Sequence, residues 1–197
     1  MSDILVLYYS HSGSIAELAR HIARGIDSVP GAAARLRTVP KVAVVTAKAE
    51  PPVPESGAPY VTNADLAECI GMALGSPTRF GNMAAPMKHF LDGLSGEWFK
   101  GTLSGKPAAV FTSSATQHGG QESTLLSMMV PLLHHGMVMV GIPFTETRLS
   151  TTRSGGTPYG ASHVAGPDND QPLTDDEAQL AFALGQRLAR IALKLRA

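Results

Sequence analysis

The chain has 197 residues, 16 of them Lys or Arg and 16 Asp or Glu, so its formal net charge is zero. That balance excludes recognition of nucleic acid or an anionic membrane through an overall field, and the single cysteine, Cys69, excludes an intramolecular disulfide and a cysteine-based zinc site. The length suits one domain over 1–197 with one sizeable core, and no shift in composition marks a boundary inside it.

The first element is a short apolar strand, Ile4 to Tyr9, too short and without the preceding basic stretch needed for a signal segment. A small polar turn, Ser10 to Ser14, leads into a helix whose apolar positions are Ile15, Leu18, Ala19, Ile22, Ala23 and Ile26, with Arg20, His21 and Arg24 on the solvated face. A second strand is expected over Ala33 to Val39, and Leu36 between two arginines places it near a sheet edge. Residues 40–62 hold Pro51, Pro52, Pro54 and Pro59, too many for a helix or central strand, so this stretch reads as a surface excursion.

A third strand, Ile70 to Gly75, is expected to stop at Ser76-Pro77, with Cys69 beside it as a small core residue. The next helix carries Met83, Met87, Phe90, Leu91 and Leu94, and Pro86 fits only in its first turn. A fourth strand, Ala108 to Thr112, precedes a helix with Leu125, Leu126, Met129, Leu132 and Leu133 expected on one face and a kink at Pro131. Met137 to Ile142 is apolar at consecutive positions, as a strand covered on both faces should be. A Gly/Ser/Thr-rich loop, 151–171, follows. The last helix, Thr174 to Leu195, opens on a capping box, and Arg187, Arg190, Lys194 and Arg196 suit its negative end.

Alternating apolar strands and helices imply an α/β fold with a parallel sheet wound on both faces, and ligands of such sheets bind beyond the carboxyl ends of the strands. Those ends carry the unusual segments, Ser10 to Ile15, Ser76 to Asn82 and Ser113 to Gln121. No apolar run is long enough to span a bilayer, so the expectation is a soluble, cytoplasmic protein without membrane insertion.

The turn Ser10-His11-Ser12-Gly13-Ser14 presents three hydroxyls and several amides at a helix N-terminus, which makes either a phosphate cradle or an ordinary serine-capped turn. It lacks Lys and Arg, whereas nucleoside triphosphates usually need a lysine and magnesium; a single phosphate monoester does not. Gly101 to Lys106 departs from a P-loop by one missing residue and by Pro107 in place of Ser or Thr. G-x-G-x-x-G, G-x-S-x-G and H-E-x-x-H are all absent, and no metal site is expected.

Five segments in order, Leu5 to Ser10, Pro77-Thr78-Arg79-Phe80-Gly81-Asn82-Met83, Gly119 to Glu122, His134 to Val138, and Gly155-Gly156-Thr157-Pro158-Tyr159-Gly160-Ala161, closely resemble the WrbA family. That family comprises flavodoxin-like NAD(P)H:quinone oxidoreductases first named as tryptophan-repressor-binding proteins. The resemblance implies a flavodoxin-like, five-stranded parallel sheet of order 2-1-3-4-5 with helices on both faces. It also implies FMN as cofactor, NADH or NADPH as electron donor, and two-electron reduction of a quinone by a ping-pong mechanism.

Residue by residue, the resemblance implies that Ser10, His11, Ser12, Gly13, Ser14 and Ile15 hold the FMN phosphate. Thr78, Arg79, Phe80, Gly81 and Asn82 would lie along the ribityl chain and ring, and Ser113, Ser114, Ala115, Thr116, Gln117, His118 and Gly119 along the other ring edge. His134 is the matching catalytic histidine that reaches the flavin, and Trp98 borders the substrate space. Read without the resemblance, His134 is a helix-end residue and Trp98 a core or oligomer contact. Position 12, commonly aromatic and against the nicotinamide nucleotide in the family, is Ser12 here. Homodimers and homotetramers are implied as well.

Two alternatives share the fold. A one-electron carrier flavodoxin often docks through a strongly charged surface, which zero net charge does not favour. A non-catalytic FMN-binding regulatory partner is suggested by the family's older name, yet no basic cluster supports direct nucleic-acid binding.

Overall fold

The computed structural model describes residues 1–42, 54 and 56–196. Most of the expected excursion at 40–62, including Pro51 and Pro52, lies outside the described residues. In chain order the elements are β1 (Ser2–Tyr8), α1 (Ser14–Asp27), β2 (Ala32–Thr38), α2 (Asn63–Glu68), β3 (Gly71–Arg79), β4 (Asn82–Met83) and α3 (Ala85–Asp92). There follow α4 (Ser95–Phe99), β5 (Pro107–Ser114), α5 (Gln121–His134), β6 (Val138–Met139), α6 (Arg148–Thr151), β7 (Ala161–Val164) and α7 (Asp175–Leu195).

The main sheet is parallel in the order β2-β1-β3-β5-β6, with β7 also beside β5 and the short β4 turned back antiparallel on β3. Alternation along β1 explains its consecutive apolar residues. Ile4, Val6 and Tyr8 enter the core under α1 and α7, whereas Leu5, Leu7 and Tyr9 enter the core on the other face, with Met87 of α3 and Leu125, Met128 and Leu132 of α5. This is the expected doubly wound arrangement. The edge position of β2 follows from its arginines: Arg35 pairs with Asp3, Asp65 and Glu68, and Arg37 reaches Asp65 at 2.9 Å, so the polar side chains stay at the rim.

Four expectations need correction. The third strand does not stop at Ser76-Pro77 but runs to Arg79: β5 pairs with it as far as Pro77, where Thr112 Oγ1 donates to the Ser76 carbonyl at 2.8 Å, and β4 folds back to pair with Thr78 and Arg79. Met83, expected in the next helix, accordingly lies in β4. The fifth strand is split: Val138 and Met139 pair with the start of β5, and its carboxyl half is flanked instead by Ala161–Val164, taken from the expected 151–171 loop. On α5 the buried stripe is Leu125, Met128 and Leu132, while Leu126 and Leu133, expected on that stripe, are exposed. The helix continues through Pro131 to His134, and Pro86 occupies the first turn of α3 as expected.

Helices α1 and α7 cross at two glycines. A Cβ on Gly25 would lie 2.0 Å from the Phe182 carbonyl oxygen, and one on Gly185 2.1 Å from that of Ile22, so the backbones touch directly. This contact brings the N-terminus of α7 alongside that of α1.

The N-terminus of α7 is built on the buried Glu177. Its carboxylate accepts from the N–H groups of Thr174 (2.8 Å), Gly155 (2.8 Å) and Val164 (3.0 Å) and pairs with His163 Nδ1 at 2.9 Å, while Thr174 Oγ1 accepts from Glu177 N–H to complete the capping box. Burial acts to raise the carboxyl's pKa, but the His163 bond and the three backbone donors outweigh it and hold the group at about 2. Glu177 thereby fastens β7 and the Gly155 backbone to α7.

Glu177→Gln is expected to cost about 2–3 kcal/mol at neutral pH, as a carboxylate with depressed pKa contributes through linkage. The stabilisation is fully present above the ordinary value of 4.5 and fades as pH falls toward 2. Urea denaturation of both proteins across that range should show their difference shrinking toward acid pH.

Candidate functional site

The turn after β1 is shaped by Gly13, whose φ of 101° is strained for any side chain and which stands as the N-cap of α1. Ser10 Oγ accepts from the N–H groups of Gly13 at 3.2 Å and Ala16 at 3.3 Å, folding the turn back over the helix end. A serine therefore does satisfy helix amides, but from outside the ordinary cap position. Helix geometry leaves the N–H groups of Ser14 and Ile15 without intrahelical acceptors, so the positive end of α1 is available to an anion.

Beyond the strand ends lies a cavity of about 340 Å³. The first turn supplies Ser10, His11, Ser12, Ser14 and Ile15; β3 supplies Pro77, Thr78 and Arg79; β5 and its exit supply Ser113, Ser114 and Ala115. Asn169, from the turn after β7, completes the lining. The wall is rich in hydroxyls and contains one permanent cation, the Arg79 guanidinium, whose Nη1 donates to the Thr78 carbonyl at 2.7 Å. Thr78 Oγ1 accepts from Thr124 Oγ1 at 2.7 Å, which sets the hydroxyl's direction. The carboxyl end of β5 is fixed likewise: Ser114 Oγ donates to Thr116 O at 2.7 Å and accepts from Gln121 Nε2 at 2.8 Å.

Between β3 and β4 a two-residue turn, Phe80-Gly81, has φ of 54° and 78°, the signature of a type I′ hairpin. Gly81 suits it, since a Cβ there would meet Ser123 Oγ at 2.9 Å, but Phe80 is an aromatic residue held in left-handed conformation with its ring wholly in solvent. Thr116 to Gly119 form a turn closed by Gly119 N–H to Thr116 O at 3.0 Å, with Gln117 and His118 exposed. Gly13, Phe80, Gly81 and Thr116 to Gly119 thus frame the cavity without lining it.

Asn82, Trp98 and His134 line a second cavity of about 520 Å³ between α3, α4 and α5. Trp98 Nε1 donates to the His134 carbonyl at 2.7 Å, and its ring meets Phe99 edge-on at 4.8 Å, so Trp98 is not a core residue. Neighbouring His135 has its pKa lowered by burial and then by His134. Within one chain, His134 and Trp98 do not meet the residues of the first cavity. Sequence reasoning missed Asn169; the only local signal was an asparagine in a Gly-Pro-Asp-Asn turn, a residue that tolerates left-handed backbone.

A family model described as NADPH-dependent FMN reductase matches residues 3–145. The chain is 44% identical over 201 residues to a Geobacter sulfurreducens protein named NAD(P)H dehydrogenase (quinone), with 98% of each chain covered. It is 45% identical to a protein of the same name from Geotalea daltonii, covering 98% of this chain and 97% of the other. Among solved structures it is similar in fold to a flavodoxin, WrbA-like protein from Agrobacterium tumefaciens, at 20% identity and TM-score 0.71 with both chains fully covered. A Bacillus cereus flavodoxin is similar at 17% identity and TM-score 0.61, covering 96% and 98% of the two chains.

Ser10→Ala removes the acceptor shared by two amides of the first turn. It is expected to lower stability by about 1 kcal/mol, read as a fall in urea midpoint at unchanged slope.

Proposed function

The chain belongs to the NADPH-dependent FMN reductase family as a WrbA-type member, and on that premise we propose that it is an FMN-dependent NAD(P)H:quinone oxidoreductase, reducing quinones to hydroquinones by two electrons. One observation carries this reading: the hydroxyl-rich cavity at the strand ends, opening on the N-terminus of α1 and, among the described residues, without a lysine in its wall. Such a wall fits a phosphate monoester held by neutral donors. Among the described residues it lacks the lysine that a nucleoside triphosphate usually requires.

The hydroxyls of Ser10, Ser12 and Ser14 and the free amides of Ser14 and Ile15 would hold the FMN phosphate. Thr78 to Asn82 would flank the rest of the cofactor on one side and Ser113 to Gly119 on the other, with Asn82 at the border of the second cavity. When bound, FMN supplies a ring that accepts hydride from a nicotinamide and passes two electrons to a quinone. The protein's part is to orient the ring, keep one face open and place donors where negative charge develops. Nicotinamide and quinone then take turns at one site, which gives ping-pong kinetics.

His134 and Trp98 serve a neighbouring chain in this reading. Leu126, Val130 and Leu133 of α5, with Phe80, Phe99 and Phe144, are large apolar side chains exposed to solvent. We read these faces as the contacts of a homodimer and homotetramer that bring the His134 groove of one protomer to the cavity of another. Residues 1–197 act as one domain, in the cytoplasm, where a buried Cys69 with its thiol pKa pushed up by burial stays reduced and inert. No helix among the described residues is long and apolar enough to cross a membrane.

Apoprotein is expected to bind about one FMN per chain and FAD more weakly. Anaerobic NADH should bleach the bound flavin and benzoquinone should restore it, with parallel double-reciprocal plots in steady state; an unbleached flavin would defeat the proposal. His134→Ala is expected to slow the NADH half-reaction about tenfold or more without loss of bound FMN. Leu133→Asp combined with Val130→Asp is expected to convert a tetramer to smaller species by light scattering, with activity falling in parallel.

A further inference from the structure

We infer that Asn169 is a cofactor ligand, its carboxamide donating to the phosphate end of the bound FMN; the inference rests on the FMN reading of the first cavity. Asn169 lies outside the three loops that carry the other lining residues, arriving from the turn between β7 and α7. Its φ is 57°, and only Phe80 shares that left-handed region among the described non-glycine residues. Asparagine tolerates that region better than most side chains do, and surrounding structure holds it there.

Here the enforcement is visible. Asn169 N–H donates to Gly166 O at 3.1 Å, Gln171 N–H to Ala165 O at 3.0 Å, and Ala165 N–H to Ser114 O at 2.8 Å. His163 Nε2 meets the Gln171 carbonyl at 3.1 Å while its other nitrogen is held by Glu177. The turn is therefore tied at one end to the cavity wall and at the other to the buried pair. Yet the Asn169 side chain is exposed, and among the described residues no hydrogen bond engages its amide.

The chemistry of the position is selective. Asp168 and Asp170 flank Asn169, and neither lines the cavity; the neutral member of the three does. Aspartate tolerates left-handed backbone about as well as asparagine, so conformation alone does not decide between them. Charge does. A carboxylate in the wall of the cavity that Ser10, Ser14 and Ile15 also line would repel a phosphate bound there, whereas a carboxamide offers two N–H donors without adding charge.

Two variants separate the side chain from the backbone. Asn169→Gly keeps the positive φ and removes the amide, and Asn169→Asp keeps the shape and adds the charge. In titrations of apoprotein followed by flavin fluorescence, the glycine variant is expected to raise the FMN Kd about tenfold, the equivalent of one lost hydrogen bond to an anion. The aspartate variant should lose more affinity for FMN than for riboflavin, which lacks the phosphate. Thermal unfolding of both apoproteins should match wild type, separating lost contact from lost fold. Wild-type FMN affinity in both variants would overturn the inference, as would an aspartate penalty equal for FMN and riboflavin. Failure of the wild type itself to bind FMN would instead strike the reading of the cavity on which this one depends.

Discussion

A buried carboxylate organises the carboxyl end of this sheet. Glu177 is enclosed by three backbone donors and the His163 ring, and these four partners come from three stretches of chain: Thr174 of the α7 cap, His163 and Val164 of β7, and the Gly155 segment. An isolated charge at that depth would be strongly unfavourable, so the four donors must arrive together. Because they do, the segment after α6 is pressed against β5 and takes the edge position that β6 leaves after two residues. From His163 the order passes through its carbonyl to Gln121, to Ser114 and to the exit of β5, where the cavity begins. Among the described residues, no buried side-chain nitrogen or oxygen lacks a partner, as so dense a polar network requires.

This places the family-like Gly155-Gly156-Thr157-Pro158-Tyr159-Gly160-Ala161 string in a different light from a binding loop. A Cβ at Gly155 would lie 2.1 Å from the Ser162 carbonyl oxygen, and one at Gly160 2.1 Å from that of Val110. None of its residues lines the first cavity. Its glycines let the backbone approach β5 and the Glu177 carboxylate, so the string serves the fold and reaches the cavity only through what it supports.

The candidate site residues are divided between two cavities. One is polar and lies at the strand ends; the other is a groove beneath α5, rimmed by the exposed Val130 and bordered by Trp98 and His134. The buried stripe of α5 turns inward at Leu125, Met128 and Leu132, leaving an outer set of apolar residues facing solvent. That outer apolar set is the face the proposed subunit contact would cover.

By itself the sequence determined the alternation of strands and helices, the short apolar strand β1, the edge character of β2, the capping box of α7 and the hydroxyl-rich turn at Ser10 to Ser14. All of these are local: they depend on periodicity, on cap chemistry or on charged residues within a few positions. Tertiary structure alone decided where the sheet edge changes hands between β6 and β7, since Met137 to Ile142 is apolar throughout and pairing depends on what Gly141 and Gly160 can approach. It also carried β3 past Pro77, because β4 folded back to pair with Thr78 and Arg79. Asn169 entered the cavity wall only through hydrogen bonds from distant residues, and His134 was drawn away from it by the course of α5. Contacts between residues far apart in the chain leave no periodic trace, and such contacts decided which of the candidate residues share a cavity.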